Sequence, residues 1–301
     1  MSEIRFDNRV AVVTGAGGGL GKCHALLLAS RGAKVVVNDL GGSVAGKGGG
    51  SSMADAVVKE IEEAGGTALA NYDSVDTPQG GEAIIQAALD GFGQVDIVIN
   101  NAGILRDKTF AKLAPEDLEA VLNVHLRGAF YVTQPAFRAM KDRNYGRLVF
   151  TTSAAGLFGN FGQTNYGAAK MGLVGLSGAL AIEGMKYGIK SNVIAPIART
   201  RMTEEILGAL ADALDPEQVS AVVAYLASEE CELTHEIISV GGSRYARAFV
   251  GVVQGWFAGR DVTPSIEEVR DNMSEILNTD EYIIPKGAGE EMALLGNVLK
   301  G

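Results

Sequence analysis

Three residues in the second half of the chain could together move a proton at an alcohol oxygen. Tyr166 and Lys170 are four residues apart, so on a helix they share one face. That sets an ammonium beside a phenol. A phenol titrates near about pH 10 and is a poor base at neutrality, but a neighbouring cation favours its anion. Ser153 adds a hydroxyl able to hold an oxygen. Beside a dinucleotide, these three groups are the minimum apparatus for moving a hydride and a proton to or from a carbinol.

A dinucleotide site is legible upstream. Thr14-Gly15-Ala16-Gly17-Gly18-Gly19-Leu20-Gly21 lies between a strand-like and a helix-like segment. Glycines there let the chain turn tightly and let backbone N–H groups approach a pyrophosphate at the helix N-terminus. Gly15, Gly17, Gly18, Gly19, Leu20 and Gly21 are the candidate contacts. Asp39 ends the second strand about 20 residues further on, where a carboxylate can accept from adenosine ribose hydroxyls. It would repel a 2′-phosphate, and Ala16 to Gly18 and Leu40 supply no compensating cation. The expected cofactor is therefore NAD, although Lys47 in the following loop pulls the other way. Asp73 and Ser74 follow the third strand, and Asp73 reads equally as an adenine contact or an ordinary turn aspartate. Asn101, Ala102 and Gly103 end the fourth strand, small enough for close approach, with amides that can tie the strand end to its neighbours.

These residues need a frame. Strand-like and helix-like segments alternate: Val10–Val13, Lys34–Asn38, Ala68–Tyr72, Val95–Ile99, Arg147–Thr152, Ser191–Ile194 and Glu236–Val240, with helices between. Such alternation requires parallel pairing through right-handed crossovers. The fold class is α/β, a Rossmann-like doubly wound parallel sheet of about seven strands with helices on both faces. Residues 1–245 form the NAD-binding catalytic domain. Residues 246–301, with the single Trp256, form an extension expected to pack on the core or on a partner subunit.

The 301 residues are 47% hydrophobic and 21% charged, a globular composition with material for a full core. The net charge of −10 argues against nucleic acid as a partner. No apolar run is long enough for a membrane span. Two cysteines make no disulfide framework. With no apolar signal core and no peroxisomal address, the expected location is cytoplasmic. His24, His125 and His235 have no metal-ligand spacing, so no metal is expected. His125 reads as a core or buried-interface residue.

On the Thr14–Gly21 turn, Asn100-Asn101-Ala102-Gly103, Asn123, Ser153 and Tyr166-Gly-Ala-Ala-Lys170, the chain resembles the classical short-chain dehydrogenase/reductases. The resemblance implies Tyr166 as general base in oxidation and acid in reduction. It implies Lys170 as the group that lowers the phenol pKa and holds the nicotinamide ribose, and Ser153 as the hydrogen bond to the substrate oxygen. Asn123 would keep a water on a proton path to Lys170. After the sixth strand, Pro196 matches the family, but its usual Gly is absent and Thr200 comes one residue early. Pro196 and Thr200 are the candidate cofactor contacts there. The family also implies a homodimer or homotetramer, pairing helices near 115–142 and 163–187. Ala168, Ala169, Gly172, Gly175 and Gly178 would allow close packing.

A narrower resemblance is to the (3R)-hydroxyacyl-CoA dehydrogenase units of peroxisomal multifunctional enzymes and their freestanding bacterial relatives. It rests on Asn38–Gly42, Ala70–Val75, Gly103–Asp107, Val124–Gly128, Gly159–Gln163 and Arg201–Thr203. It implies oxidation of a 3-hydroxyacyl-CoA or a steroid-type alcohol to the ketone. Leu157, Phe158 and Phe161 would line an apolar cleft. Arg106, Lys108, Arg199 and Arg201 could meet CoA phosphates, or be solvated charges. The alternatives are a 3-ketoacyl reductase using NADPH, against which Asp39 argues, and a non-catalytic NAD-binding protein, against which the intact Ser153, Tyr166 and Lys170 argue.

Overall fold

Val10–Thr14 is apolar, β-branched and buried throughout, as a strand covered on both faces must be. In the computed structural model, which describes residues 3–199 and 212–300, it forms β1 at the centre of the main sheet. β2 (Lys34–Asn38), β3 (Thr67–Asn71), β4 (Ile97–Asn100), β5 (Gly146–Thr151), β6 (Ile189–Pro196) and β7 (Ile237–Gly241) complete a parallel sheet of order β3-β2-β1-β4-β5-β6-β7. The order reverses between β1 and β4. At such a switch point the loops leaving the strand C-termini diverge and open a crevice. An eighth strand, β8 (Arg244–Ala248), adds at the edge beside β7. Gly242 and Ser243, at φ 56° and 59°, form the two-residue turn, which requires β8 to run antiparallel.

Helices cover both faces. Alternate residues of the strands, Ala11 and Val13, Val35 and Val37, Ile97 and Ile99, meet α1 (Gly19–Ser30), α2 (Ser52–Glu63) and α8 (Pro216–Ala227) through Leu28, Val57, Ile61, Val219, Val223 and Leu226. α3 (Pro78–Phe92), α4 (Pro115–Leu122), α5 (Gly128–Arg143) and α7 (Thr164–Gly184) belong to the opposite layer, and a short α6 (Ala154–Phe158) precedes α7. α3 starts and stops on local signals. Thr77 caps Gly80 N–H at 3.1 Å, Pro78 opens the helix, and Gly93 at φ 80° ends it.

The helix expected over 115–142 is not continuous. A π turn, Asn123–Arg127, separates α4 from α5, and Gly128 N–H reaches back to Asn123 O. The extra residue in this turn rotates the downstream side chains relative to a regular helix. The small-residue stripe of α7 also divides. Ala169 and Gly178 are buried within the chain, and Gly172 lies against Leu126, while Ala168 and Gly175 are exposed.

The chain separates into two compact units, Met1–Arg247 and Ala248–Gly301. In the second, β9 (Val252–Val253) pairs antiparallel with β10 (Tyr282–Ile283), and Phe249 stacks on Tyr282 at 5.5 Å. A Ser265/Glu268 capping box starts α9 (Ile266–Asp271), followed by α10 (Met273–Ile276) and α11 (Ala288–Lys300). Among the described residues no helix is long and apolar enough to cross a membrane.

Candidate active site

Every sequence-derived site residue that the structure describes, apart from Asn123 in the π turn, follows or closes a strand of the parallel sheet or lies on α7. The Gly15–Gly21 segment follows β1, Asp39 follows β2, Asp73 and Ser74 follow β3, and Asn101 to Gly103 follow β4. Ser153 follows β5 and Pro196 closes β6. Thr200 and Arg201 lie outside the described residues.

The glycine turn is shaped by contacts that exclude a Cβ. Gly15, at φ 63°, would place one 2.8 Å from Ala102 Cα. At Gly17 it would fall 2.8 Å from the Asp39 carboxylate. Thr14 locks the turn to β4: its hydroxyl accepts from Asn101 N and Ala102 N at 3.1 Å, and Asn101 Nδ2 donates to Thr14 O and Gly15 O, each at 3.1 Å. Asn101 therefore ties strand ends together, one of the two uses expected for these amides. Asp39 accepts from Gly17 N–H at 2.8 Å through Oδ2 and from Gly41 N–H at 2.7 Å through Oδ1. It holds the turn, yet an ionised carboxylate has about four lone-pair sites, which leaves room for ribose hydroxyls. Gly18, the N-cap of α1, offers no side chain to the first N–H groups of that helix, and the first turn carries no acidic residue. Orphan N–H groups at a helix N-terminus suit a phosphate. Together, the Cβ-free cradle, these N–H groups and Asp39 fit a nicotinamide dinucleotide.

Beneath the far end of the turn, Asn38 Nδ2 donates to Asn71 Oδ1 and Asp73 O at 2.8 and 2.9 Å. Asn71 Nδ2 donates to Asp73 Oδ2 at 2.7 Å. Asp73 is thus held as the end of an amide chain, with its carboxylate exposed. The Ser74 hydroxyl donates to Asp76 at 2.6 Å.

Ser153 leaves β5 in extended conformation and caps α6, accepting from Ala155 N–H at 3.2 Å. Tyr166 and Lys170 stand on α7, whose start is fixed by Asn165. Asn165 Nδ2 donates to Arg106 O at 3.1 Å, and its Oδ1 accepts from Tyr166 N–H at 2.8 Å. The Lys170 ammonium is buried, donates to Thr151 O at 2.6 Å, and lies 5.5 Å from the Tyr166 ring centre. Burial dominates both titrations. It pushes the Tyr166 phenol up to about 12, with a hydrogen bond from Ser153 pulling down and the Asp107 charge pushing up. It brings the Lys170 ammonium down to about 7. The structure thus brings Ser153, Tyr166 and Lys170 together at the C-terminal edge of the parallel sheet.

Asn123 makes two hydrogen bonds at the π turn. Its side-chain oxygen accepts from Arg127 Nη1 at 2.5 Å, and its carbonyl from Gly128 N–H. His125 is buried, as a core histidine, and meets Tyr166 edge-on, ring centres 5.1 Å apart at 88°. The structure also reveals a latch: Gln163 Nε2 donates to Asp107 at 2.7 Å and Lys108 N–H to Gly162 O at 2.9 Å, joining the loop after β4 to the start of α7. Phe110, Phe158 and Phe161 are all more than three-quarters exposed. Of the four cations considered for phosphates, Arg106 is paired with Asp117 and Ala45 O, and Arg199 with Asp212, while Lys108 is exposed.

Residues 9–211 match the family model described as short chain dehydrogenase. A short-chain type dehydrogenase/reductase of Mycobacterium tuberculosis is 54% identical over 271 residues, covering 90% of this chain and 94% of that protein. A hydroxyacyl-CoA dehydrogenase of the same organism is 40% identical over 238 residues, 74% of each chain. The solved structure of full-length peroxisomal multifunctional enzyme type 2 from Drosophila melanogaster superposes with a TM-score of 0.84 at 39% identity, over 99% of this chain and 50% of that one.

Proposed function

This chain belongs to the short-chain dehydrogenase family, and from that premise we propose that it oxidises a secondary alcohol to a ketone with NAD, the substrate being a 3-hydroxyacyl-CoA or a steroid-type alcohol. The observation that carries the reading is the convergence of Ser153, Tyr166 and Lys170 at the C-terminal edge of the sheet, beside the glycine turn and Asp39. The choice of NAD is supported by Asp39. A carboxylate bound to Gly17 N–H sits where an added ribose phosphate would bring a second negative charge. The substrate class is supported by a mycobacterial relative named a hydroxyacyl-CoA dehydrogenase and by the exposed Phe158 and Phe161.

The Gly15–Gly21 turn, the N-terminus of α1 and Asp39 would hold the dinucleotide, which when bound supplies the hydride acceptor. The remaining work falls to side chains. Ser153 Oγ holds the substrate oxygen. Tyr166 Oη, as the phenolate, takes the hydroxyl proton, and in the reverse direction returns it. Lys170, fixed by Thr151 O, supplies the positive charge that makes the phenolate accessible. Burial of this group strengthens each of these interactions by excluding water. We also assign the chain to the cytoplasm, where its free Cys23 and Cys231 stay reduced. Its partner would be a second copy of itself, with the exposed Ala168 and Gly175 of α7 offering a close-approach surface.

The deciding experiment is a panel of 3-hydroxyacyl-CoA thioesters and steroid alcohols with NAD, read as NADH fluorescence. Turnover of a panel member is expected. Activity confined to ketone reduction with NADPH would overturn the assignment.

A further inference from the structure

Resting on that reading, a second question is what holds the Lys170 ammonium toward Tyr166. One acceptor is Thr151 O, at 2.6 Å, but an ammonium has three donors. Asn123, the residue the family pattern offers, has its side-chain oxygen on Arg127 and its carbonyl on Gly128.

Beside Lys170 lies a cavity of about 10 Å³, lined by Thr14, Asn100, His125 and Lys170 together with apolar side chains. That is about the space one water occupies. His125 is buried to 3% exposure, and its Nδ1 has no hydrogen-bond partner. Buried polar atoms left bare are rare and call for a bound group. The other ring nitrogen is fixed: Nε2 is 2.8 Å from Ile104 O and 3.0 Å from Ile104 N. Ile104 N–H can donate only to a bare Nε2 and Ile104 O can accept only from a protonated one, and in either tautomer Nδ1 is left with one hydrogen bond unmet. Gly103 clears the space for the ring, since a Cβ there would fall 2.4 Å from His125 Cε1. The titratable groups facing the imidazole are Lys170 and Tyr166, both from α7.

We propose that His125 is a positioning residue for Lys170: its Nδ1 and the ammonium share one water in this cavity, which gives the ammonium a second acceptor and fixes it toward Tyr166. His125 stays neutral throughout, consistent with burial and the Lys170 charge, which hold its pKa well below the ordinary value.

Two substitutions separate this role from mere packing. H125N keeps an amide near the Nδ1 position and gives up Ile104; H125Q keeps an amide near Nε2 and leaves the Nδ1 side bare. The expected result is that H125Q lowers kcat at neutral pH roughly tenfold and moves the acid limb of the pH profile upward, while H125N stays within about threefold of the native chain. Equal losses, a loss only in H125N, or no loss in either would overturn the proposal. A second readout needs no turnover. The ¹⁵N resonance of His125 Nδ1, in a chain with three histidines, should show a hydrogen-bonded nitrogen that shifts in Lys170→Met. A free nitrogen, unmoved in that variant, would overturn it. Should the native chain oxidise no alcohol in the panel, the dehydrogenase reading fails, and the resonance still decides the shared water.

Discussion

Lys170 Nζ sits 5.5 Å from the centre of the Tyr166 ring while bonded at 2.6 Å to Thr151 O. The cation is held by a strand end, not by the phenol it serves. Burial disfavours the charged form of each group, raising the phenol and lowering the ammonium. Water exclusion also makes the fixed charge more effective on any phenolate that forms.

Tyr166→Phe removes the hydroxyl assigned to exchange the substrate proton but leaves the Gly15–Gly21 turn and Asp39 untouched. Turnover should fall by about 10²–10⁴. Titration with NADH should give a dissociation constant within about threefold of the native chain, well under the 1.4 kcal/mol that a tenfold change represents. Retained turnover would remove Tyr166 from the chemistry.

The neighbours of the phenol push its titration in opposite directions. Ser153 lowers it through a hydrogen bond, and the Asp107 charge raises it. S153A should therefore shift the pH dependence of kcat/KM to higher pH, with a loss of about 10²-fold or more because the substrate oxygen also loses a donor. D107N should shift the profile to lower pH. It keeps a group able to accept from Gln163, so the latch at 2.7 Å survives. Shifts of the same sign in the two variants would contradict this arrangement of the three groups.

Asp39 bridges Gly17 and Gly41 by two backbone hydrogen bonds. D39A should lose both supports and the ribose acceptor together. Catalytic efficiency with NAD should fall by about 10²-fold, since hydrogen bonds to a charged group are worth about 1.5–3 kcal/mol. Efficiency with NADP should fall less or rise, because the repelling charge is gone. G17A should mimic the NAD loss, its Cβ displacing the same carboxylate from 2.8 Å. Parallel losses for both cofactors in D39A would mean that Asp39 only braces the turn.

Much of this site is readable in the chain because its signals are local. The Val10–Thr14 strand, the glycines after it and the four-residue step from Tyr166 to Lys170 depend on neighbours in sequence, and the fold keeps each. The Pro78–Phe92 helix carries its own cap and stop. The features that are not readable depend on contacts between distant segments. The π turn at Asn123–Arg127 answers to no residue type, and the edge-on contact of His125 with Tyr166 joins segments far apart in the chain. By residue type Asp39 can be a ribose acceptor or a loop cap, and the cap is visible only because Gly17 and Gly41 both come to it. By residue type Arg106 can meet a phosphate, but Asp117 and Ala45 O claim it across the fold.

A histidine outside the Ser153, Tyr166 and Lys170 group should govern part of the stability at acid pH. His24 in α1 is fully buried against α8, its Nδ1 2.8 Å from Ser220 Oγ and its Nε2 without a partner. Burial lowers its pKa to about 3 from 6.5. Between those values the unfolded chain binds a proton at this residue and the folded chain does not. Stability must therefore fall as pH drops through that window, at up to about 1.4 kcal/mol per pH unit from this residue. H24N retains a partner for Ser220 and cannot titrate there. It should lose about 1–2 kcal/mol at pH 8 through lost packing, yet its denaturant midpoint should decline less steeply than the native one between pH 6.5 and 4. Carboxylate titration is common to both chains and cancels in the comparison. Stability curves that run parallel through that range would show that His24 is not the buried neutral group its surroundings describe.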